Sequence, residues 1–348
     1  VSLIEHNIGA GDEVLIASYT FIATPVSVLA AGAMPVFVDT DPDTFQMDVS
    51  KIEQKITPRT KAIMPVHLAG LPANMEAIMK IAAKHNLIVI EDACQAHLAE
   101  FNHKKVGTFG HAGCFSFQNS KNLPIGEGGA VVSDDEAFID RCYAYHNFGS
   151  AFGSVKPREK ESGFLIRGNK LRLAEYQAAI GLAQLKRLES QTKTRSENAM
   201  YPKEQLEKIP GIIPFRLYAN VTRAAFHLFP FRYKKEQFKG LPREGFLKAL
   251  EAEGVPCISG YSTLNDKPYL KHNFQSKNFK KMYPAKMLDF DKYLERNQCP
   301  QNDIICNEEA VWFMQNLLLG PKSDMDFIVS AIEKIHTNAE SIKKAFKA

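Results

Sequence analysis

Short apolar segments alternate with amphipathic segments from residue 13 to residue 145, and this alternation limits the fold more than any other feature of the sequence. The apolar segments are rich in aliphatic residues and bounded by turn residues, a pattern typical of buried β-strands. They predict strands at about residues 13–18, 35–39, 62–67, 87–92, 113–117 and 130–133. The clearest intervening helices are predicted at residues 21–32, 74–86 and 135–145. Such alternation indicates an α/β fold with a mostly parallel sheet covered by helices.

A second domain is expected after residue 211. Apolar residues recur at helical spacing from Leu173 to about Leu188, and the charged run from Lys193 to Lys203 predicts a solvated continuation that leads away from the sheet. Beyond it we expect a strand at residues 227–233 and helices at residues 243–254 and 323–347. A chain of 348 residues with 45% hydrophobic content can form two cores. We therefore predict a large domain at residues 1–211 and a small one at residues 212–348.

The composition argues against several classes of partner. The formal net charge of +4 is spread over many acids and bases, and no basic run is interleaved with aromatic residues as on a nucleic-acid surface. No stretch is apolar for long enough to span a membrane. The six cysteines form no CxxC pair and have no zinc-ligand spacing. We expect a cytoplasmic protein with reduced thiols and no metal site, and neither nucleic acid nor a membrane as partner.

A carboxylate and a lysine follow two of the predicted strands. Asp92 ends the strand at residues 87–92, and Lys121 lies between the next strand and a glycine cluster at residues 126–129. Ligands collect at the carboxyl ends of strands in α/β proteins. A carboxylate can keep a pyridine nitrogen protonated, and a lysine held by tight turns can attack a carbonyl at one fixed place. Pyridoxal phosphate chemistry requires this pair of groups.

Several segments resemble one enzyme family, and they occur in order over roughly the first 190 residues. The segments are residues 11–14, 18–21, 90–97, 115–122, 126–130 and 177–185. They are similar to the DegT/DnrJ/EryC1/StrS aminotransferases, which act on keto-sugars and keto-cyclitols. The resemblance implies a type I aminotransferase fold, in which a mostly parallel sheet forms the large domain and the smaller C-terminal domain is α+β. It also implies pyridoxal 5'-phosphate as cofactor and a homodimer with shared active sites.

The resemblance extends to the first residues of the chain. Residues 1–13 resemble the end of a helix whose beginning, in the family, carries a Ser-Gly-Thr phosphate motif. Helix N-termini bind phosphate through free backbone N–H groups. We therefore expect that the N-terminal part of the cofactor-binding domain is missing from this sequence.

The family's site residues can be transferred position by position. Lys121 corresponds to the Schiff-base lysine, which also moves the proton, and Asp92 to the partner of the pyridine nitrogen. Phe21 corresponds to the aromatic residue that stacks on the cofactor ring, although core packing is the alternative. Gln95 corresponds to the hydrogen-bond partner of the ring hydroxyl and Ser116 to a phosphate ligand, although both residue types also satisfy sheet edges.

One position departs from the family pattern. The family commonly has Asn-Tyr-Arg before its Gln-Ala-Ala helix, and the asparagine reaches the phosphate of the neighbouring subunit's cofactor. Lys170 occupies that asparagine position here, and Asn169 is displaced by one. An ammonium is a suitable point charge for a phosphate, so we expect Lys170 or Asn169 to contact the cofactor, with an exposed surface lysine as the alternative.

Two residues are candidates for substrate contact. His67 follows a predicted strand at the same sheet edge, where it either lines the pocket or is a structural histidine bonded to the backbone. Tyr261, in a Gly-Tyr pair, resembles the branch of the family that acts on cyclitols of the inosose type more than the branch that acts on nucleotide-linked sugars.

The resemblance implies ping-pong transamination from glutamate or glutamine to a keto-cyclitol or keto-sugar. A nucleotide-linked keto-sugar is an alternative acceptor. A non-catalytic relative that binds pyridoxal phosphate or senses a ligand is another alternative. Lys121 argues against the dehydratases of the family, in which a histidine replaces the lysine.

Overall fold

A six-stranded central sheet forms the larger part of the computed structural model, which describes residues 1–157 and 163–347. Its strand order is β2-β1-β3-β4-β7-β8, and every neighbouring pair is parallel except β7 and β8. The strands of the chain are β1 Glu13–Ala17, β2 Met34–Val38, β3 Thr60–Met64, β4 Ile88–Asp92, β5 Glu100–Phe101, β6 Lys104–Lys105, β7 Ala112–Ser116, β8 Gly129–Val132, β9 Ile212–Pro214, β10 Val221–Arg223, β11 Leu228–Tyr233 and β12 Ala310–Met314. The predicted mostly parallel sheet is confirmed.

Helices pack on this sheet and in the C-terminal part of the chain. They are α1 Ser2–Glu5, α2 Ala23–Ala30, α3 Met75–His85, α4 Glu136–His146, α5 Glu175–Leu206, α6 Arg243–Ala252, α7 Pro268–Gln275, α8 Lys277–Met282, α9 Phe290–Arg296, α10 Pro300–Ile304, α11 Lys322–Thr337 and α12 Ala339–Lys347. All residues of β1 and β2 are buried, as expected for strands covered on both faces. The three helices predicted between the strands are confirmed as α2, α3 and α4.

Local sequence signals set the ends of α3 and α4. The Asn74 side chain accepts a hydrogen bond from the Ala77 N–H at 3.2 Å, and Asp135 accepts one from the Phe138 N–H at 3.0 Å. These caps satisfy N–H groups that have no partner within the helix. Asn86 ends α3 in the left-handed conformation with φ 52°, which asparagine tolerates better than most residues.

The long helix α5 differs from its prediction. The predicted solvated continuation at residues 193–203 is wrong, because this half of α5 packs against the protein through the buried residues Leu188, Thr192, Arg195, Ala199, Pro202 and Leu206. The N-terminal half is the exposed one, with Tyr176 71% exposed and Leu182 65% exposed. The charged residues of the C-terminal half mislead because they occupy the outer face of an otherwise buried helix.

The C-terminal part contains an antiparallel sheet of order β12-β11-β9. The predicted strand at residues 227–233 and helix at residues 243–254 correspond to β11 and α6. The predicted single helix at residues 323–347 is instead two helices, α11 and α12, separated at Asn338. Helices α7 to α10 have no counterpart among the predicted elements.

One cluster of buried apolar side chains extends through both sheets, from Leu15 and Val89 in the central sheet to Phe229 and Phe313 in the antiparallel sheet. The division into residues 1–211 and 212–348 therefore stays a prediction, and its last residue, Ala348, lies outside the described residues. All six cysteines are free thiols. No helix among the described residues has the length and apolar character needed to cross a membrane.

Candidate active site

Carboxyl ends of the central strands bring the predicted site residues together at one edge of the sheet. Asp92 and Ser116 end the neighbouring parallel strands β4 and β7, and Asp92 pairs with Cys114 in their register. Phe21 follows β1, and His67 follows β3. Residues far apart in the sequence become neighbours here because parallel strands end on the same side.

Two hydrogen bonds fix the Asp92 carboxylate. Its Oδ1 accepts from the Cys94 N–H at 3.2 Å, and its Oδ2 accepts from the Thr24 hydroxyl at 3.0 Å. The Thr24 hydroxyl also lies 2.9 Å from the Thr20 hydroxyl. Asp92, Thr24 and Asn169 contribute to the lining of a cavity of about 530 Å³. The carboxylate is therefore held in one orientation at the wall of a cavity large enough for a small ligand.

Lys121 lies in the turn between β7 and β8, where its N–H donates to the Gln118 carbonyl at 2.9 Å. Burial lowers the pKa of its amine, and this effect exceeds the opposing effects of the Cys94 thiol and the Asp92 carboxylate nearby. A lowered pKa increases the fraction of neutral, nucleophilic amine. Gly129, the first residue of β8, has no room for a side chain, since a Cβ would lie 2.8 Å from the Phe115 carbonyl oxygen.

Gln95 is buried and its orientation is determined by its contacts. Its Oε1 accepts from the Ala69 N–H at 2.8 Å, so its Nε2 is the atom that donates to the Tyr261 hydroxyl at 3.1 Å. An amide nitrogen has two hydrogens. The second Nε2 hydrogen is available to a ligand, and because the Tyr261 oxygen accepts from Gln95, the hydrogen of that hydroxyl is available as well.

Aromatic side chains line the approach to Gln95. Tyr261 packs against Trp312 with ring centroids 4.4 Å apart and against Tyr19 at 5.6 Å. The Phe21 ring lies 6.2 Å from Tyr261 and is 54% exposed. A partly exposed ring beside a polar site can stack on a planar ligand.

Two buried histidines adjoin Lys121. Burial, together with the nearby Lys121 charge, lowers the pKa of His97 to about 4, and the same causes lower that of His227 well below its ordinary value. His227 Nδ1 lies 3.4 Å from the Asn122 side-chain oxygen, and the Asn122 amide donates to the Ala225 carbonyl at 2.9 Å. Both imidazoles are therefore neutral near pH 7.

His67 is fully buried, with both ring nitrogens occupied. Its Nε2 lies 3.0 Å from Glu91 Oε2, and its Nδ1 accepts from the Ala73 N–H at 3.1 Å. Glu91 also accepts from the backbone N–H groups of Gly107, Phe109 and Gly110. This arrangement favours the structural alternative for His67 over substrate contact.

Asn169 and Lys170 are both exposed. The Asn169 side-chain oxygen accepts from the Lys170 N–H at 2.8 Å, and its backbone N–H donates to the Tyr145 carbonyl at 2.7 Å. The side chain of Asn169 therefore binds the backbone of its own segment. A contact of either residue with a neighbouring subunit's cofactor stays a prediction.

The donor set fits pyridoxal 5'-phosphate. The site offers an amine of lowered pKa, a fixed carboxylate, an amide with a free N–H and a hydroxyl at a strand end, the groups that the aldehyde, ring nitrogen, ring hydroxyl and phosphate need. Within the described residues, no group of three or more His, Cys, Asp or Glu side chains could hold a metal ion. Fold and site together define an aminotransferase of the type I fold.

Comparison with known proteins agrees with this class. A sequence model described as the DegT/DnrJ/EryC1/StrS aminotransferase family matches residues 1–286, and the chain belongs to this family. It is 33% identical over 349 residues to L-glutamine:2-deoxy-scyllo-inosose aminotransferase of Micromonospora echinospora, covering 99% of this chain and 81% of that protein. It is 35% identical over 274 residues to GDP-perosamine synthase of Caulobacter vibrioides, covering 78% of this chain and 71% of that one.

A solved structure gives the same result. The crystal structure of 3-amino-5-hydroxybenzoic acid synthase matches with a TM-score of 0.80 and 30% identity, covering 97% of this chain and 83% of that one. The predicted family, type I fold, enzyme class and cofactor are confirmed: the protein is an aminotransferase that depends on pyridoxal 5'-phosphate.

Two residues of the site were missed in the sequence. Thr24 lies in the first turn of α2, shortly after the predicted Phe21, so its place at the sheet edge follows from the same signal. Its bond to Asp92 spans 68 positions of sequence, and no local pattern indicates it. Trp312, on β12, contacts Tyr261 only through the tertiary fold.

Proposed function

We propose that this aminotransferase transfers an amino group from glutamine or glutamate to a keto-cyclitol by a ping-pong mechanism. The observation that carries the proposal is the juxtaposition of Lys121, with its lowered pKa, and the hydrogen-bonded Asp92 carboxylate at one sheet edge. Relatives that match nearly the whole chain support the substrate class, since one is named for glutamine and 2-deoxy-scyllo-inosose.

When bound, pyridoxal phosphate supplies an aldehyde that condenses with amines and a ring that withdraws electrons from the carbon that loses its proton. Asp92, whose two oxygens are fixed by Thr24 and the Cys94 N–H, would hold a proton at the ring nitrogen. Lys121 would anchor the cofactor through its amine, whose pKa is lowered by burial, and its free amine would be the base that moves the substrate proton.

The remaining predicted contacts orient the ring. The free N–H of Gln95 would bind the ring hydroxyl, and Phe21 would pack on the ring face and so fix its orientation. Ser116, at the end of β7, would bind the phosphate. The pKa values of His97 and His227 beside Lys121 are lowered by burial and by the Lys121 charge, so both imidazoles are neutral and the lowered pKa of the Lys121 amine comes from burial rather than from a neighbouring cation.

Tyr261 is proposed to meet the acceptor. Its hydroxyl hydrogen is free because its oxygen accepts from Gln95, and it can be donated to a hydroxyl or carbonyl oxygen of a cyclitol. A nucleotide-linked keto-sugar is the second candidate acceptor, favoured by the similarity to GDP-perosamine synthase. His67 is left out of this pocket because its side chain is fully buried.

A homodimer with shared sites is part of the proposal. The exposed half of α5 presents Tyr176, Ile180, Leu182 and Leu185 to solvent, and clustered exposed apolar residues mark interaction surfaces. The occupant that fits is a second copy, because the segment with Lys170 lies shortly before the start of α5. We propose that Lys170 is thereby carried to the phosphate of the partner's cofactor.

The reaction is tested with purified protein loaded with pyridoxal phosphate. α-¹⁵N-labelled glutamine or glutamate alone should convert one equivalent of donor per active site, and addition of 2-deoxy-scyllo-inosose should yield a ¹⁵N-labelled aminocyclitol by mass spectrometry. Steady-state rates at several donor concentrations should give parallel double-reciprocal lines. Lys121→Ala is the control, because it removes both the covalent anchor and the base.

The acceptor that receives the label distinguishes the proposed function from its alternatives. Label transferred only to a GDP-linked keto-sugar would replace the cyclitol by the second candidate. Cofactor binding without transfer from either donor to either acceptor would contradict the proposal and favour the non-catalytic relative. Mixing Lys121→Ala with Lys170→Ala subunits tests the shared site, since a mixed dimer regains one intact site only if Lys170 acts across the interface.

A further inference from the structure

Arg243, the first residue of α6, is bound by backbone carbonyls from two parts of the chain, the loop at Ser259 and residues 306–310. Its Nη1 donates to the carbonyls of Ser259 at 3.2 Å and Ala310 at 3.2 Å, and its Nη2 to those of Cys306 and Asn307, both at 3.0 Å. Across residues 1–157 and 163–347, no carboxylate lies within ion-pair distance of this guanidinium. Its hydrogen-bond donors therefore bind backbone carbonyls and connect separate segments of the chain.

One of these segments leads directly to Tyr261. Residues 258 and 312 are paired, with the Ile258 N–H donating to the Trp312 carbonyl at 3.1 Å and the Trp312 N–H donating back at 2.9 Å. Arg243 binds the next carbonyl, that of Ser259. Gly260 follows with φ 82°, and a Cβ there would lie 2.5 Å from the Tyr19 hydroxyl. The loop is therefore held on both sides immediately before Tyr261.

The other carbonyls belong to the turn before β12 and to Ala310, the first residue of β12. Residues Ile305–Glu309 form a π-helix that leads into β12, and π-helices are rare and leave local backbone geometry less regular than an α-helix. Arg243 takes up the carbonyls of Cys306 and Asn307 in this turn. It thus connects the start of β12, which carries Trp312, to the loop that carries Tyr261.

We propose that Arg243 is a positioning residue for Tyr261, and that through it the loop 258–261 places the Tyr261 hydroxyl against Gln95 and the acceptor. The inference rests on the proposed function only in the role given to Tyr261. The physical reason is geometric: Nη1 of the planar guanidinium binds the Ser259 and Ala310 carbonyls while Nη2 binds two more carbonyls of the preceding turn, whereas a lysine offers its three donors from a single nitrogen. Lysine therefore keeps the charge but cannot make all four bonds, so it holds the loop less firmly against the start of β12.

The test begins with a readout that does not depend on activity. Trp312 is the only tryptophan of the chain, and its ring packs against Tyr261. In Arg243→Lys, the near-ultraviolet circular dichroism and the emission of Trp312 should change in the folded protein, both with and without pyridoxal phosphate. Arg296→Lys is the matched control: it breaks the paired bonds of Arg296 with Glu13, at 2.7 and 2.8 Å, and should leave the Trp312 signal unchanged.

A double-mutant cycle, measured on the KM for the acceptor, then distinguishes a positioning role of Arg243 from a general effect on stability. Arg243→Lys should raise KM for the acceptor about tenfold, equivalent to about 1.4 kcal/mol, with little change in the donor half-reaction. In a Tyr261→Phe background the same substitution should have almost no further effect on that KM. Arg243→Gln, which keeps two donors on one nitrogen, should behave like the lysine variant.

The proposal is overturned if Arg243→Lys lowers the unfolding temperature but leaves the Trp312 signal and the acceptor KM as in the wild type. It is also overturned if the KM effects of Arg243→Lys and Tyr261→Phe are simply additive. Should the protein fail to transaminate any acceptor, the proposed function fails separately, and the Trp312 signals of the arginine variant and its control still decide whether Arg243 fixes the loop.

Discussion

Replacing the buried Glu91 by glutamine should destabilise the protein strongly. The carboxylate accepts four hydrogen bonds: Oε1 from the N–H groups of Phe109 and Gly110 at 2.6 and 2.7 Å, and Oε2 from Gly107 at 2.7 Å and His67 at 3.0 Å. A glutamine has one acceptor oxygen, so two of these donors would face an NH₂ group instead. Each bond to a buried charged acceptor is worth roughly 1.5–3 kcal/mol, and the loss of two comes to roughly 3–6 kcal/mol.

This loss can be measured by thermal unfolding followed by circular dichroism. With an unfolding entropy of about 2.1 cal/mol/K per residue, a chain of 348 residues should show a fall in Tm of about 4–8 °C. Glu53→Gln is the control. Glu53 is an exposed carboxylate that pairs with Lys84 and His85, and such surface pairs contribute little, so its Tm should barely change.

The pH dependence of Glu91→Gln has a definite sign. Burial alone would raise the pKa of Glu91, but the hydrogen bonds from His67, Gly110 and Gly107 outweigh it and lower the pKa. The contribution of Glu91 is therefore fully present above its unfolded pKa of about 4.3 and is lost as the pH falls through the lower folded pKa. The variant should differ most from the wild type near pH 7. An unchanged Tm at pH 7 would refute the assignment of these bonds.

Three further predictions concern the site. Asp92→Asn should still bind cofactor but transaminate about 100-fold more slowly or worse, because an amide holds a pyridinium poorly; near-normal turnover in stopped-flow assays would remove Asp92 from the mechanism. Lys170→Ala should weaken cofactor affinity about tenfold, as expected for one lost phosphate contact, while Asn169→Ala should not. If cofactor titrations gave Lys170→Ala the Kd of the wild type, Lys170 would be an ordinary surface lysine. His97 is neutral in the folded protein, with a pKa of about 4, so its protonation should lower the free energy of unfolding by up to about 3 kcal/mol as the pH falls from 6.5 to 4. Urea unfolding of His97→Phe should lack this pH-dependent loss of stability. A pH profile identical to that of the wild type would contradict the prediction.

Periodicity and chain order predict the central sheet well. The apolar segments that become β1 to β4, β7 and β8 are local signals, because strands buried on both faces need continuous apolar residues. The caps at Asn74 and Asp135 are local as well. The family motifs likewise place Lys121 and Asp92 by sequence alone, since each motif is a short run beside a strand end.

The tertiary structure decided what depends on contacts between distant segments. Which half of α5 is buried follows from its packing against β9, α11 and the turn after β12, and the charges on its outer face give the opposite impression. His67 is the right residue type at the right strand end, yet Glu91 and the Ala73 N–H occupy both of its nitrogens. Thr24 binds Asp92 across 68 positions of sequence, Gln95 binds Tyr261 across 166, and the Cys306 carbonyl binds Arg243 across 63. Sequence determines which groups are present near a strand end, because strand patterns are local; only the folded chain determines which of those groups are already satisfied and which remain free for a ligand.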